Sequence, residues 1–164
     1  MTSLTPNTND PDNLSLASGH RGQLIIAKYP TISFNLTDYN IPGINVGTAI
    51  QGTPYRVFER PREASFEDLQ VTMLVDSKLN NWFTLFNWAV GESTPDDASQ
   101  FTESMVYSDA TLIVLTNKNN PSLKIKLENV FIKTLSGIEY NQGDEDFVQR
   151  TAIATFGFSS MKRG

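Results

Sequence analysis

The fold is decided by residues 66–90, which read FEDLQVTMLVDSKLNNWFTLFNWAV. In the first half, apolar and polar side chains alternate: Leu69, Val71, Met73 and Val75 lie on one parity, and Asp68, Gln70 and Thr72 on the other. Strict alternation predicts a strand with one buried face. The apolar spacing then becomes helical, so the segment predicts a strand that runs directly into a helix.

The predicted helix covers about residues 77–90. Asp76 or Ser77 is a suitable N-cap, because a side-chain oxygen can accept from the first free helical N–H groups, and Gly91 is placed to end the helix. The apolar stripe consists of Leu79, Trp82, Phe83, Phe86 and Val90, and Leu85 and Trp88 widen it. Amphipathic helices normally bury such a stripe, so we expect Trp82 and Phe86 to pack against a sheet rather than to bind a ligand.

Further strands are predicted on both sides of this segment. Phe34 and Leu36 alternate with polar neighbours, and runs at 105–116, 123–132 and 147–158 have strand character. The chain is therefore predicted to be mainly β, an antiparallel β-sandwich or barrel of about six or seven strands with one flanking helix. Residues 1–21, which are polar and contain two prolines, are expected to form an N-terminal arm, and residues 22–164 a single β domain.

Residues 44–64 are predicted to form a long protruding hairpin. Ile41-Pro42-Gly43 marks a sharp change of direction before it, and charged residues cluster near its expected tip. A long hairpin on a small domain usually contacts something. We therefore expect contacts between copies of the chain at Arg56, Glu59, Arg60, Arg62 and Glu63.

Composition excludes several classes of function. The net charge is -5, which argues against ordinary nucleic-acid binding, and charged residues make up only 19% of the chain, which suits a surface that meets other protein. Without cysteine there is no disulfide or thiol chemistry. No apolar run approaches the roughly 20 residues of a membrane span, and the N-terminus lacks a signal-peptide pattern. We expect that the chain does not insert into a membrane and that it is made in a cytoplasm.

The sequence offers no convincing catalytic, cofactor or metal site. His20 is the only histidine and lies beside the expected arm, so it has no partners for a nucleophilic or metal site. Glu67 and Asp68 are adjacent on a predicted strand and point to opposite faces. The glycines form neither GxGxxG nor GxxxxGK[ST]. We therefore predict that the protein is not an enzyme and needs no cofactor.

Several motifs occur in an order that resembles the tail tube protein family of contractile-tailed bacteriophages. They are Ile41-Pro42-Gly43-Ile44, the strand Phe66-Glu67-Asp68-Leu69-Gln70-Val71-Thr72, Val75-Asp76 and the helix at 82–88. Later segments at 107–112, 119–121, 135–138 and 152–158 fit the same pattern, so the resemblance spans residues 22–158.

The resemblance implies a structural subunit of a phage tail tube, in which six copies form a ring and rings stack around a channel for DNA. The implied partners are further copies, the tail sheath, baseplate or neck proteins, and genomic DNA in transit; the implied location is the virion, after assembly in the host cytoplasm. Minor relatives start or end the tube. The first hairpin, residues 23–39, is shorter than expected of a major subunit, so a tube-initiating, baseplate-junction or tube-terminating role stays open as an alternative. An alternative of another class is a monomeric β-sandwich binding module.

A channel wall is expected from the polar parity of the strands. If copies close into a ring, one strand face lines the lumen, and small polar and acidic groups there offer phosphates no cation to hold. The expected lumen-facing residues are Ser33, Asn35, Asp68, Gln70 and Thr72. The opposite parity is expected to pack inside the protomer.

Overall fold

A computed structural model describes residues 21–93, 106–116, 118–140 and 149–164, so most of the expected N-terminal arm lies outside the described residues. The described part contains nine strands and the helix α1. In chain order the elements are β1 Gly22–Ile26, β2 Ser33–Tyr39, β3 Ile44–Thr53, β4 Arg56–Phe66, β5 Leu69–Leu74, α1 Asn80–Ser93, β6 Ser108–Leu115, β7 Pro121–Leu135, β8 Thr151–Gly157 and β9 Ser160–Arg163.

Six of these strands close into an antiparallel barrel. Around the barrel the order is β1, β2, β5, β8, β7 and β6, and β6 pairs with both β7 and β1, which completes the circle. β9 adds to β7, and β3 with β4 forms a separate two-stranded sheet. Closure leaves none of the six barrel strands as a free edge. The predicted mainly β antiparallel class is confirmed, and the architecture is a barrel rather than a sandwich.

The barrel interior is filled by the apolar parity of each strand. Leu69, Val71 and Met73 of β5 are buried, as predicted, beside Phe156, Ala154 and Ala152 of β8, their direct ladder partners. The interior packs closely, as is typical of proteins, because small side chains on one strand lie opposite large side chains on the next. The alternation in the sequence therefore marks which face of each strand points inward.

The helix turns a different side to the barrel than predicted. Leu85 and Trp88 are buried in the core, and the Trp88 indole N–H donates to the carbonyl of Val106 at 3.3 Å. Trp82 is half-buried, whereas Phe86 is 41% exposed, so the expectation that Phe86 packs against the sheet is wrong. Each residue advances a helix by about 100°, which places Phe86 about 160° around the axis from Trp88.

The helix also begins and ends later than predicted. Asp76 caps a turn that precedes the helix, because its Oδ1 accepts from the N–H of Ser77 at 2.8 Å. Leu79 then adopts a positive φ of 57°, which is not helical, so α1 starts at Asn80. At the other end Gly91 does not stop the helix, which continues to Ser93.

The basic C-terminal residues, which have no strand pattern in the sequence, form strand β9. It pairs with β7 through the register Lys126↔Lys162 and Leu127↔Met161. The Lys162 ammonium lies 2.7 Å from the Glu128 carboxylate on β7. Hydrogen bonding to Lys162, with its positive charge nearby, lowers the pKa of Glu128 below its ordinary value.

Candidate assembly surfaces

The β3–β4 hairpin projects from the barrel as an independent arm. Its strands pair from Ile44↔Phe66 at the base to Thr53↔Arg56 at the turn. Ten strand residues extend about 30 Å. The buried core of the described residues includes no residue between Ile44 and Ser65, so the arm contributes surface rather than core.

The base of the hairpin is held by short polar contacts. Pro42 is buried, and Gly43 and Glu67 exchange two hydrogen bonds: Glu67 N–H donates to the Gly43 carbonyl at 3.0 Å, and Gly43 N–H to Glu67 Oε2 at 3.3 Å. A Cβ on residue 43 would lie 2.9 Å from that carboxylate, so a larger residue would displace the Glu67 side chain from its bond to the residue 43 N–H. The predicted Ile-Pro-Gly change of direction is therefore where the chain leaves the barrel.

Asn40 connects this base to β5, and sequence reasoning missed it. Its side-chain oxygen accepts from the N–H of Gln70 at 2.6 Å, and its amide donates to the carbonyl of Asp68 at 3.1 Å. One asparagine thus pairs two backbone groups where β2 ends. The signal available in the sequence was an Asn two residues before Pro42-Gly43, a residue type whose side chain often bonds to the backbone near turns.

A β-bulge sorts the hairpin side chains onto two different faces. Residues opposite each other in a ladder share a face. The register steps from Val46↔Ala64 to Thr48↔Pro61, so Arg62 and Glu63 lie opposite Gly47. Because of this extra residue, the apolar side chains on both sides of the bulge fall on one face. We call it the apolar face of the hairpin; it consists of Ile44, Val46, Thr48, Ile50, Gly52, Val57, Glu59, Pro61, Ala64 and Phe66.

The apolar face is open to solvent along the arm. Ile44, Val46, Ile50 and Val57 are 44% to 73% exposed. Phe66 at the base is half-buried and packs on Phe158 at a ring separation of 5.4 Å. An isolated two-stranded hairpin is marginally stable in water, and a run of exposed aliphatic side chains marks an interaction site. The arm therefore has the properties of a surface that another molecule covers.

The charged residues of the hairpin lie along β4, not at the tip. The turn is Pro54-Tyr55, closed by the Thr53 hydroxyl, which donates to the Arg56 carbonyl at 2.8 Å. The expected interface residues Arg56, Glu59, Arg60, Arg62 and Glu63 are all exposed. Arg56 and Arg60 lie on the side opposite the apolar face, which we call the polar face of the hairpin, and the Arg60 guanidinium is 5.2 Å from the centre of the Phe58 ring. The expectation of a charged tip was wrong, because the bulge disrupts the alternation that would have located the strand.

The expected lumen residues occupy the outer surface of the barrel. Ser33, Asn35 and Gln70 are exposed, and Thr72 is half-buried. The ladder continues this polar surface onto β8 through Gln70↔Thr155 and onto β2 through Asp38↔Thr72. Beside it, burial raises the pKa of Tyr39. The structure thus brings four of the five expected residues onto one polar barrel face.

Asp68, the fifth expected residue, lies just before β5 and is paired. Its carboxylate is 2.6 Å from the Lys133 ammonium of β7. This pair offsets its charge at the margin of the polar barrel face. Since both side chains are well exposed, the pair stabilises the fold little.

Metal-binding geometry is absent from the part of the chain that the structure describes. Within these ranges no three His, Cys, Asp or Glu side chains lie together as potential metal ligands. His20 lies outside the described residues. Nor does any helix in the same ranges have the length and apolar character of a membrane span.

No family model matches the chain, and no curated protein matches it in sequence. Solved structures do match its fold. The cap that terminates the tube of the anti-feeding prophage has a TM-score of 0.66 at 10% identity, over 98% of this chain and 100% of that one. A chain of the sheath–tube complex of the extracellular contractile injection system PVC has a TM-score of 0.64 at 11% identity, and the match covers 96% of this chain and 93% of that one. Hcp1 from Flavobacterium johnsoniae has a TM-score of 0.52 at 9% identity, and the match covers 87% of this chain and 94% of that one. The fold of this chain is that of tube-type proteins of contractile injection systems.

Proposed function

We propose that this chain is a structural subunit of a phage-type tail tube, and that copies assemble through the β3–β4 hairpin. The exposed apolar face of the hairpin carries the proposal, because a two-stranded arm about 30 Å long is stabilised when another molecule covers it. The shared fold with tube and tube-cap proteins supports the same role. The role is structural rather than enzymatic.

The finer proposal is a ring of six copies, stacked into a tube that DNA crosses. In such a ring the polar barrel face, with Ser33, Asn35, Gln70 and Thr72, lines the channel. Small uncharged groups hold phosphates weakly, so DNA moves past them. Asp38, also on this face, adds weak repulsion. The charged residues of β4 set the register between copies more than the affinity.

A tube-initiating, baseplate-junction or tube-terminating subunit is the second candidate. The tube-terminating cap of the anti-feeding prophage matches 98% of this chain and has a TM-score of 0.66, against 0.64 for the PVC chain. In either role the partners are the tail sheath and the baseplate or neck proteins. The assembled particle is the final location, with assembly in the bacterial cytoplasm. A monomeric binding module accounts less well for the exposed hairpin.

The test is the assembly state of the purified chain with and without the hairpin. Light scattering and electron microscopy of the natural sequence are expected to reveal rings or tubes. A variant in which a short Gly-Ser turn replaces residues 45–65 is expected to keep its circular dichroism spectrum and cooperative unfolding, because none of these residues is in the core, but to remain monomeric.

The outcomes separate the candidates. Long tubes favour a major tube subunit, and single rings favour a terminating or initiating subunit. A natural chain that stays monomeric at high concentration contradicts the assembly role, and a hairpin-less variant that still assembles contradicts the role of the hairpin.

A further inference from the structure

Helix α1 presents aromatic side chains on the side that faces away from the barrel. Phe83 is 48% and Phe86 is 41% exposed. Viewed down the helix axis, Phe83 lies about 160° from the buried Leu85, and Phe86 about 160° from the buried Trp88. We call Phe83 and Phe86, with Trp82 beside them, the aromatic ridge.

The aromatic ridge is held in one arrangement by its own packing. Phe86 stacks on Trp82 at a ring separation of 5.2 Å, and Phe83 meets Trp82 edge to face at 5.1 Å. The Trp82 indole N–H donates to the carbonyl of Ser136 at 3.0 Å, which fixes its ring against the end of β7. Ordered aromatic side chains lose little entropy on binding, and such groups dominate many protein interfaces.

The chemistry of the ridge selects an apolar partner. From Leu79 to Gly91 the chain contains no Asp, Glu, Lys or Arg, so the helix offers an ionic partner nothing to pair with. The apolar face of the hairpin matches this surface. Its exposed side chains are aliphatic, and among its described residues Glu59 is the one that carries a charge.

The positions of the two surfaces determine what their contact would build. The hairpin joins the start of β5, and α1 follows its end, so the surfaces are attached to opposite ends of a strand about 20 Å long. Both are exposed in the same protomer, so a protomer does not cover its own ridge with its own hairpin. A contact between two different patches is heterologous, and it closes into a ring or continues as a stack.

We propose that the apolar face of one copy's hairpin packs on the aromatic ridge of the next copy. This inference rests on the proposed function, since it names the surface that the assembling hairpin meets. The contact places aliphatic side chains on fixed aromatic rings and removes both exposed patches from water. It also predicts that assembly is head-to-tail rather than two-fold symmetric.

Disulfide cross-linking tests the contact directly, because the natural chain has no cysteine. Thr48→Cys puts a thiol on the apolar face, and Asn87→Cys puts one about 40° around α1 from Phe83 without removing a ring. The two variants are mixed under mild oxidation and run on a non-reducing gel. The matched control replaces Thr48→Cys with Gln51→Cys, an exposed position on the polar face of the same strand.

A mixed disulfide dimer is expected to form about tenfold or more faster with Thr48→Cys than with Gln51→Cys, because docking raises the effective thiol concentration. The double variant Phe83→Ser/Phe86→Ser is expected to stay folded and fail to assemble, whereas Asn87→Ser assembles normally.

Equal cross-linking rates, or normal assembly of the double serine variant while the hairpin-less variant stays monomeric, overturn the ridge as the docking site and leave the assembly role intact. Preferential cross-linking of Thr48→Cys to itself also overturns it, since the hairpins would then pair with each other. Failure of the natural chain to assemble at all contradicts the proposed function instead.

Discussion

Trp88 connects the helix to the barrel through apolar packing and one polar contact. Its ring meets Tyr29 edge to face at 6.2 Å and lies 6.3 Å from Phe156, while its indole N–H bonds to the carbonyl of Val106. A buried indole whose N–H has a partner stabilises without leaving an unpaired polar group. This residue, rather than Phe86, therefore carries the packing of α1.

Truncation of Trp88 should distinguish the buried side of the helix from its exposed side. Trp88→Ala is expected to lower the free energy of unfolding by about 3–5 kcal/mol, because it leaves a large cavity. Phe83→Ala, on the exposed side, is the control and should cost about 1 kcal/mol or less. Urea unfolding is measured at a concentration where the chain is monomeric, since assembly adds apparent stability. Equal losses for the two variants would mean that the inward side of the helix is misassigned.

At the level of elements, the bulge gives the hairpin its apolar face. Side chains on a strand alternate, so one additional residue in one strand moves every later side chain to the other face. Because Arg62 and Glu63 share the position opposite Gly47, Val57 lies on the same face as Val46 and Ala64; in a regular β4 strand of the same sequence it would lie on the other face. The bulge therefore converts a mixed ribbon into one with an apolar and a polar side.

Deletion of Arg62 and Glu63 together should abolish assembly while the barrel stays intact. Pro61 is then joined directly to Ala64, so in a regular strand Pro61 and Val57 move to the face opposite Ala64, and no core residue is altered. Light scattering is expected to detect monomers with an unchanged melting curve. Glu63→Ala, which keeps the chain length and the bulge, should assemble. Rings or tubes formed by the deletion variant would contradict the requirement for a single apolar face.

At the scale of the whole molecule, the negative charge is unevenly distributed. All 13 Lys and Arg residues lie in the described ranges, together with 10 of the 18 acidic residues, which leaves a charge of +3 there. The remaining eight acidic residues lie in the other segments, without any Lys or Arg. The net charge of -5 therefore says little about the barrel surface, and weak interaction with DNA depends on the local chemistry of the polar barrel face.

Gln70→Lys tests that face. The position is exposed, so the variant should fold and assemble, and in a ring it would add one cation per copy around the channel. Assembled tubes of this variant are expected to retain linear double-stranded DNA at low salt and to release it as salt is raised, because counterions compete for phosphate. DNA retention is measured by gel shift, with Gln70→Asn as the control. No difference between the two variants would contradict a channel-facing position for this residue.

The local elements and the inward-facing parity of the barrel strands follow from the order of the residues. Burial of one strand face requires apolar residues at every second position, so the alternation at 69–73 and at 152–156 is a direct record of that burial. The Pro42-Gly43 change of direction, the long hairpin and the existence of α1 could likewise be predicted, because proline fixes φ, glycine permits conformations that other residues avoid, and the apolar spacing reports the helical period.

Which surfaces remain exposed depends instead on contacts between residues that are distant in the chain. Apolar side chains project from much of the circumference of α1. The position of the barrel, not the helix sequence, therefore determines that Leu85 and Trp88 are buried while Phe83 and Phe86 stay exposed. The hairpin turn and its apolar face depend on a bulge whose register is set by the partner strand. Closure of the barrel and the pairing of β9 likewise join residues distant in sequence. A local pattern records that a side chain is apolar, but only non-local contacts determine whether the protomer buries it or leaves it for another copy.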